Sequence, residues 1–239
     1  MVKASREVLW ASANQNGFSL AEVLIALGVI GVVVVLTVST LITNVQKNQT
    51  VTQLQKVYSE MSQVLLNSTA ENGFPNTWDW GTTYDSDNNK RFIETYFLPY
   101  ISAQQNCEFT TTGACTRIAK KYLDEKTAFS LAGNRYLIIL GDGKQLYLTL
   151  DGGTTPTYFM IYVDLNGNKK PNIVGKDIFL IYYYKTLTKP FFWGQGSDRD
   201  TILNNSYYGC NEAATSQGGL FCGALIQYDG WQIKSDYPW

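Results

Sequence analysis

The sequence predicts an α+β protein: one long helix near the N-terminal end, then a head of mainly antiparallel strands. Three observations predict it. A long apolar run from Phe18 to Ile42, FSLAEVLIALGVIGVVVVLTVSTLI, contains one charge, Glu22. Beyond that run, apolar residues recur at helical spacing as far as Leu65. After Gly73 the pattern changes to short β-rich runs punctuated by Gly, Asp and Asn.

Residues 1–17, MVKASREVLWASANQNG, are mostly polar, with Lys3 and Arg6 against Glu7. The apolar run 18–42 is long enough, as a helix rising ~1.5 Å per residue, to span a hydrocarbon core of ~30 Å with some tilt. In lipid a helix satisfies every backbone amide internally, so the many Val and Ile residues do not oppose it. Lys3 and Arg6 precede the span, which places the leader in the cytoplasm and the rest outside. The run is too long for a secretory signal, and Ser39-Thr40 fits an A-x-A cleavage site poorly. A plain signal anchor leaves Glu22 unexplained. A carboxylate near the start of a span costs a few kcal/mol unless it has a partner.

Residues 43–72 continue as an amphipathic helix. Val51, Leu54, Val57, Tyr58, Met61, Val64 and Leu65 form one stripe, and Gln, Lys, Ser and Glu fill the other face. No heptad is sustained, which argues against an independent coiled coil. Glu71-Asn72-Gly73-Phe74-Pro75 supplies the stop, with Gly73 as the cap and Pro75 beyond it. One helix over 18–72 is then roughly 80 Å long.

The head, 73–239, is read as a short helix over Asn89–Ala103, interrupted at Pro99, followed by strands. These are Arg135–Leu140, Gln145–Leu150, Thr157–Leu165 and Asp177–Lys185, with Gly141-Asp142-Gly143-Lys144 as the first turn. Short connections favour an antiparallel meander, and a sheet laid on the helix stripe completes one core.

Composition narrows the function. The formal charge of −1 gives no general attraction to nucleic acid, and the absence of histidine removes the commonest general base and metal ligand. No P-loop, nucleophile elbow or metal triad is present, so no enzyme is expected.

Four cysteines, Cys107, Cys115, Cys210 and Cys222, lie on the outer side of the span, which suits an oxidising compartment. Buried thiols are the alternative; zinc is disfavoured by the spacing and the lack of histidine. Asp164-Leu165-Asn166-Gly167-Asn168-Lys169 opens like a calcium loop, with Asp177 placed to close it. Lysine at position 6 and Gly175 at position 12 depart from that pattern. Two readings stand: a calcium site of Asp164, Asn166, Asn168 and Asp177, or an Asn-Gly turn between strands. The aromatic clusters Trp78/Trp80, Phe191-Phe192-Trp193 and Tyr237-Pro238-Trp239 are core packing, or an exposed platform for a sugar, DNA or another subunit.

The stretch Gly17-Phe18-Ser19-Leu20-Ala21-Glu22-Val23 resembles the class III signal of type IV prepilins and type II secretion pseudopilins, and the likeness extends over roughly residues 14–45. It implies cleavage by a prepilin peptidase between Gly17 and Phe18, N-methylation of Phe18, and pairing of Glu22 with the N-terminal amine of a neighbouring subunit. Ser19, Ala21 and Val23 vary from the commonest residues, and the family's frequent proline within the span is missing. The resemblance also implies the fold, a long helix packed on an antiparallel sheet. A disulfide loop is common near the C-terminal end of such heads. Cys210–Cys222 with Cys107–Cys115 is the simplest of three possible pairings. Some pseudopilins bind calcium, but at a loop whose pattern is not seen here.

The physics fits that implication. Glu22 lies one turn along the helix from Phe18, about 6 Å in axial rise. A second helix staggered by one turn brings ammonium to carboxylate, and neither stays unpaired in low dielectric. Gly28 and Gly31 are read as points of close approach or as ordinary glycines of a membrane helix.

Two functions follow. The first is a filament subunit of a secretion pseudopilus or type IV pilus, with its helix in the inner membrane and its head periplasmic or extracellular. Its partners are the prepilin peptidase, other pilin-like subunits and an inner-membrane assembly platform. A mature chain of 222 residues (239 − 17) suits a minor subunit. The second is a surface-anchored binding module, an adhesin or DNA-uptake protein, for which Glu22 is dispensable.

Overall fold

The computed structural model describes Gly17 and residues Ser19–Trp239. The remainder of the expected leader, 1–16, and Phe18 lie outside the described residues. The chain divides into two units, one ending at Val45 and the other running from Gln46 to Trp239.

Helix α1 spans Leu20–Asn72. Its first part is the N-terminal unit. There Leu24, Ile25, Val29, Ile30, Leu41 and Ile42 are all exposed, and the helix is long and apolar enough to cross a membrane. Thr37 bonds back to the carbonyl of Val33 at 2.9 Å, so its hydroxyl is satisfied without water. The helix ends as expected, with Gly73 in the left-handed region at φ +77°. The indole N–H of Trp78 donates to the Gly73 carbonyl at 2.7 Å and locks that exit.

Within the unit Gln46–Trp239, the predicted stripe is the buried face of α1. Leu54, Val57, Met61, Val64 and Leu65 are all buried, with Val51 and Tyr58 half-buried beside them. Each full burial contributes about 1.5–3 kcal/mol, so a charge at Val57 would break the interface.

The rest of the unit is helix α2 (Ser86–Tyr96), strands β1 (Ala103–Glu108), β2 (Lys120–Lys121), β3 (Ala128–Phe129), β4 (Tyr136–Leu140), β5 (Gln145–Asp151), β6 (Tyr158–Asp164), β7 (Ile178–Tyr184) and β8 (Phe191–Phe192), then helices α3 (Arg199–Asn204) and α4 (Cys222–Tyr228). Six strands form one antiparallel sheet in the order β1-β4-β5-β6-β7-β8, and β2 and β3 form a separate hairpin. Four of these strands are the four expected from sequence. The expected helix over Asn89–Ala103 instead starts at Ser86. The Asp85 carboxylate caps it by accepting the Asn88 N–H at 2.8 Å. Its expected last residues become a 3₁₀ turn at Leu98–Tyr100 and the start of β1.

The sheet is covered on both faces. Phe159, Ile161 and Val163 of β6 and Phe179, Ile181 and Tyr183 of β7 point to the core that holds α1, α2 and α4. The alternate residues Met160, Tyr162, Leu180 and Tyr182 point to a second core, closed by Phe129, Leu131 and the Cys107–Cys115 bridge. The Tyr183 hydroxyl donates to the Met61 carbonyl and the Tyr58 hydroxyl to the Pro190 carbonyl, both at 2.8 Å, tying helix to sheet. Fully buried Asn89 does the same for α2: its Oδ1 accepts the Leu150 N–H at 2.7 Å and its amide donates to the Asn134 carbonyl at 2.9 Å.

Candidate functional site

The N-terminal site begins with local chain chemistry. The Ser19 N–H donates to Glu22 Oε2 at 2.8 Å, and the Glu22 N–H donates to Ser19 Oγ at 3.2 Å. The Val23 N–H reaches the Ser19 carbonyl at 3.2 Å and closes the first turn. This is a reciprocal capping box, and it satisfies two amides that a helix start leaves open. Its signal, S-x-x-E, is legible in the sequence, but the membrane reading of Glu22 draws attention away from it. Glu22 thus has a structural role within its own chain and an exposed carboxylate at the head of the apolar helix. Gly17 is exposed, and a β-carbon there would meet no described atom within 4 Å. The described chain therefore places no packing demand for glycine at that position. Phe18, the expected methylated residue, lies outside the described residues.

The four cysteines form two bridges, Cys107–Cys115 and Cys210–Cys222, with Cα–Cα distances of 5.6 Å and 4.7 Å. All four are buried. The first joins β1 to a 3₁₀ turn at Gly113–Cys115, and the second joins the loop after α3 to the start of α4.

The Asp164 loop connects β6 to β7 and is built around a charge that sequence reasoning does not supply. The ammonium of Lys120, on β2, is hydrogen-bonded to the Asp164 carboxylate, and neither side chain is exposed. Lys120 also donates to Asn172 Oδ1 at 3.3 Å and lies 5.8 Å from the ring centre of Tyr147. Asp177 accepts the N–H groups of Asn172 and Ile173, both at 2.7 Å. Asn166 donates to the Lys170 carbonyl at 3.1 Å and Asn168 to the Thr116 carbonyl at 3.2 Å. Burial pushes the Asp164 carboxyl up to about 6 even against the pull of Lys120, and burial also raises Asp177. The loop's carboxylates thus face a built-in cation and backbone donors. Among the described residues, no three His, Cys, Asp or Glu side chains gather as a metal set. The connection is also longer than a tight Asn-Gly turn, although Gly167 does take φ +65° where the loop folds against the Gly143 carbonyl.

The aromatic clusters are chiefly packing. Trp78 and Trp80 are buried, and Trp78 stacks on Tyr96 with ring centres 4.5 Å apart. Phe192 is buried against Tyr58, while Phe191 stacks on Tyr184 at the opposite sheet face. Tyr237 is buried with its hydroxyl donating to the Gly175 carbonyl, which leaves Trp193 and Trp239 half-buried. The segment carrying Trp231–Trp239 is held by Arg199. Its guanidinium forks onto Asp229 at 2.8 Å by two bonds and onto Asp236 at 2.8 and 2.9 Å.

Two family models match the chain. Residues 12–38 match the prokaryotic N-terminal methylation motif, the signature of a type IV pilin-like precursor, and residues 40–239 match a family of unknown function, DUF6613. No curated protein and no solved structure matches it. A model covering most of the chain, joined to a methylation motif over the capped start of α1, decides the assignment: the chain is a type IV pilin-like precursor that belongs to the DUF6613 family.

Proposed function

We propose that this protein is a structural subunit of a pilin-like filament, a type II secretion pseudopilus or a type IV pilus, and a minor rather than a major component. The observation that carries the reading is the match of residues 12–38 to the methylation motif, a span that contains Gly17, Phe18 and Glu22. Prepilin peptidase removes the leader after Gly17; exposure and lack of local packing there suit a residue selected by an enzyme's cleft rather than by the fold. The new Phe18 amine is methylated. It then meets Glu22 of a neighbouring helix, while exposed apolar surface between Leu20 and Val45 supplies the bulk of cohesion once buried among like helices. The inner-membrane platform and its motor supply the work of extraction.

The test is intact-mass analysis of the membrane-extracted chain, together with immunoblotting of sheared filaments. An N-methylated phenylalanine start and loss of the protein from filaments in Glu22→Ala support the proposal. A chain beginning at Met1, or incorporation indifferent to Glu22, overturns it.

A further inference from the structure

A cleft of about 990 Å³ opens between the start of α1's second part, the segment through Lys121 and the loop after β6. Its lining has an unusual chemistry. Gln46, Gln49 and Gln53, with Thr50, stand at spacings of three, four and seven and so share one helix face. Asn166, Asn168 and Asn172 face the same cleft from the loop. The Asn166 Oδ1 is buried and has no hydrogen-bond partner among the described residues. Trp239 also lines the cleft, half-buried, and Lys47 lies 5.9 Å from its ring centre.

The charges there are partly compensated. Lys176 pairs with Glu125 at 2.7 Å, and Asp177 is occupied by two backbone N–H groups. Lys121 and Lys170 are the further cations, both exposed, and no arginine lines the cleft. A phosphate site built for bidentate recognition would use arginine, and a metal site would gather carboxylates. The exposed carboxamides of Gln46, Gln49 and Gln53 instead present donors and acceptors together, while Asn166, Asn168 and Asn172 already spend one group each on Lys170, Thr116 and Lys120. The glutamine row matches a ligand whose every polar group is both donor and acceptor. Hydroxyls are such groups. An indole ring supplies the apolar face on which the C–H side of a sugar ring rests. An extended peptide is a poorer fit. Lys121, the strand residue of the cleft, already donates its N–H to the Asn172 carbonyl at 3.0 Å and accepts the Val174 N–H at 2.9 Å, so no strand edge is open at that residue.

We propose that this cleft binds a neutral oligosaccharide, with Gln46, Gln49 and Gln53 bonding its hydroxyls and Trp239 stacking on a sugar ring. The volume lies at the upper end of the range of ligand sites, enough for more than one ring. The proposal stands independently of filament assembly, since every residue in it belongs to the unit Gln46–Trp239.

The experiment uses the full chain in a detergent without a sugar headgroup, screened against an array of neutral hexasaccharides (β-1,4-glucan, chitin, α-1,4-glucan and mannan). The strongest is then titrated by calorimetry. Saturable binding is expected. Gln49→Ala/Gln53→Ala, both exposed positions that leave the fold intact, should weaken it at least tenfold, as two lost hydrogen bonds imply. Trp239→Ala should weaken it similarly and Trp239→Phe less. Absence of binding by the folded chain, binding indifferent to the glutamine pair, or binding of an unstructured peptide library in place of the sugars overturns the proposal.

Discussion

Lys120 and Asp164 form an ion pair in which neither side chain reaches solvent, joining the small β2–β3 hairpin to the end of a central strand. Such a pair stabilises little over a well-packed apolar pair, but losing one partner strands the other charge. Asp164→Ala is expected to cost about 3–5 kcal/mol in urea denaturation. The double variant Lys120→Met/Asp164→Leu should lose clearly less than either single change.

The same pair sets a pH dependence. The Asp164 carboxyl is pushed up to about 6 from an ordinary 3.8, so between those values the folded state binds more protons than the unfolded one. Its contribution to stability therefore falls as pH rises through that window, by up to roughly 3 kcal/mol. Asp177, also raised by burial, acts in the same direction. Urea midpoints measured from pH 4 to 6.5 should show that slope in the native protein and a flatter one in Asp164→Asn.

Arg199 predicts the opposite behaviour at lower pH. Its hydrogen bonds hold Asp229 and Asp236 below the ordinary carboxylate value of 3.8. Their stabilisation is full above that value and is lost as pH falls through the lowered ones. Trp231 and Trp239 fluorescence should report a loosening of this segment below about pH 4, and Arg199→Gln should show it at neutral pH.

The Cys210–Cys222 bridge closes a short loop, with a sequence separation of 12. Cys210→Ala/Cys222→Ala is expected to lower stability by about 2–3 kcal/mol. Thermal melts with and without reductant should converge for the remaining difference only when Cys107–Cys115 is removed as well.

The capping box separates two roles of Glu22. Ser19→Ala removes one cap bond and should cost about 1 kcal/mol of helix start while leaving subunits in sheared filaments. Glu22→Gln retains an acceptor for the Ser19 N–H but has no charge, and it should still be lost from filaments.

The sequence makes the strongly patterned elements legible. The stripe from Val51 to Leu65 has only one face to bury, and β4–β7 are apolar runs cut by Gly and Asp. The start of α2 is displaced because Asp85, rather than the first apolar residue, fixes it. Strand β1, AQQNCE, is polar and mostly exposed, and is held at the sheet edge by an irregular register with β4, so no periodicity announces it. Strand β2 depends on a buried lysine whose partner lies 44 residues away, a non-local choice that no window reveals. Helix α3 does carry a local signal, Asp198 accepting the Thr201 N–H, but it is too short to show a period. The cleft was illegible for the same reason as the ion pair: its amides come together only when the loop returns against the helix.

A sheet covered on both sides behaves as a partition. Substitutions near Phe129, Leu131 and Cys115 press on the strand face opposite the one that packs on α1, so their effect reaches the helix only through the shared strands.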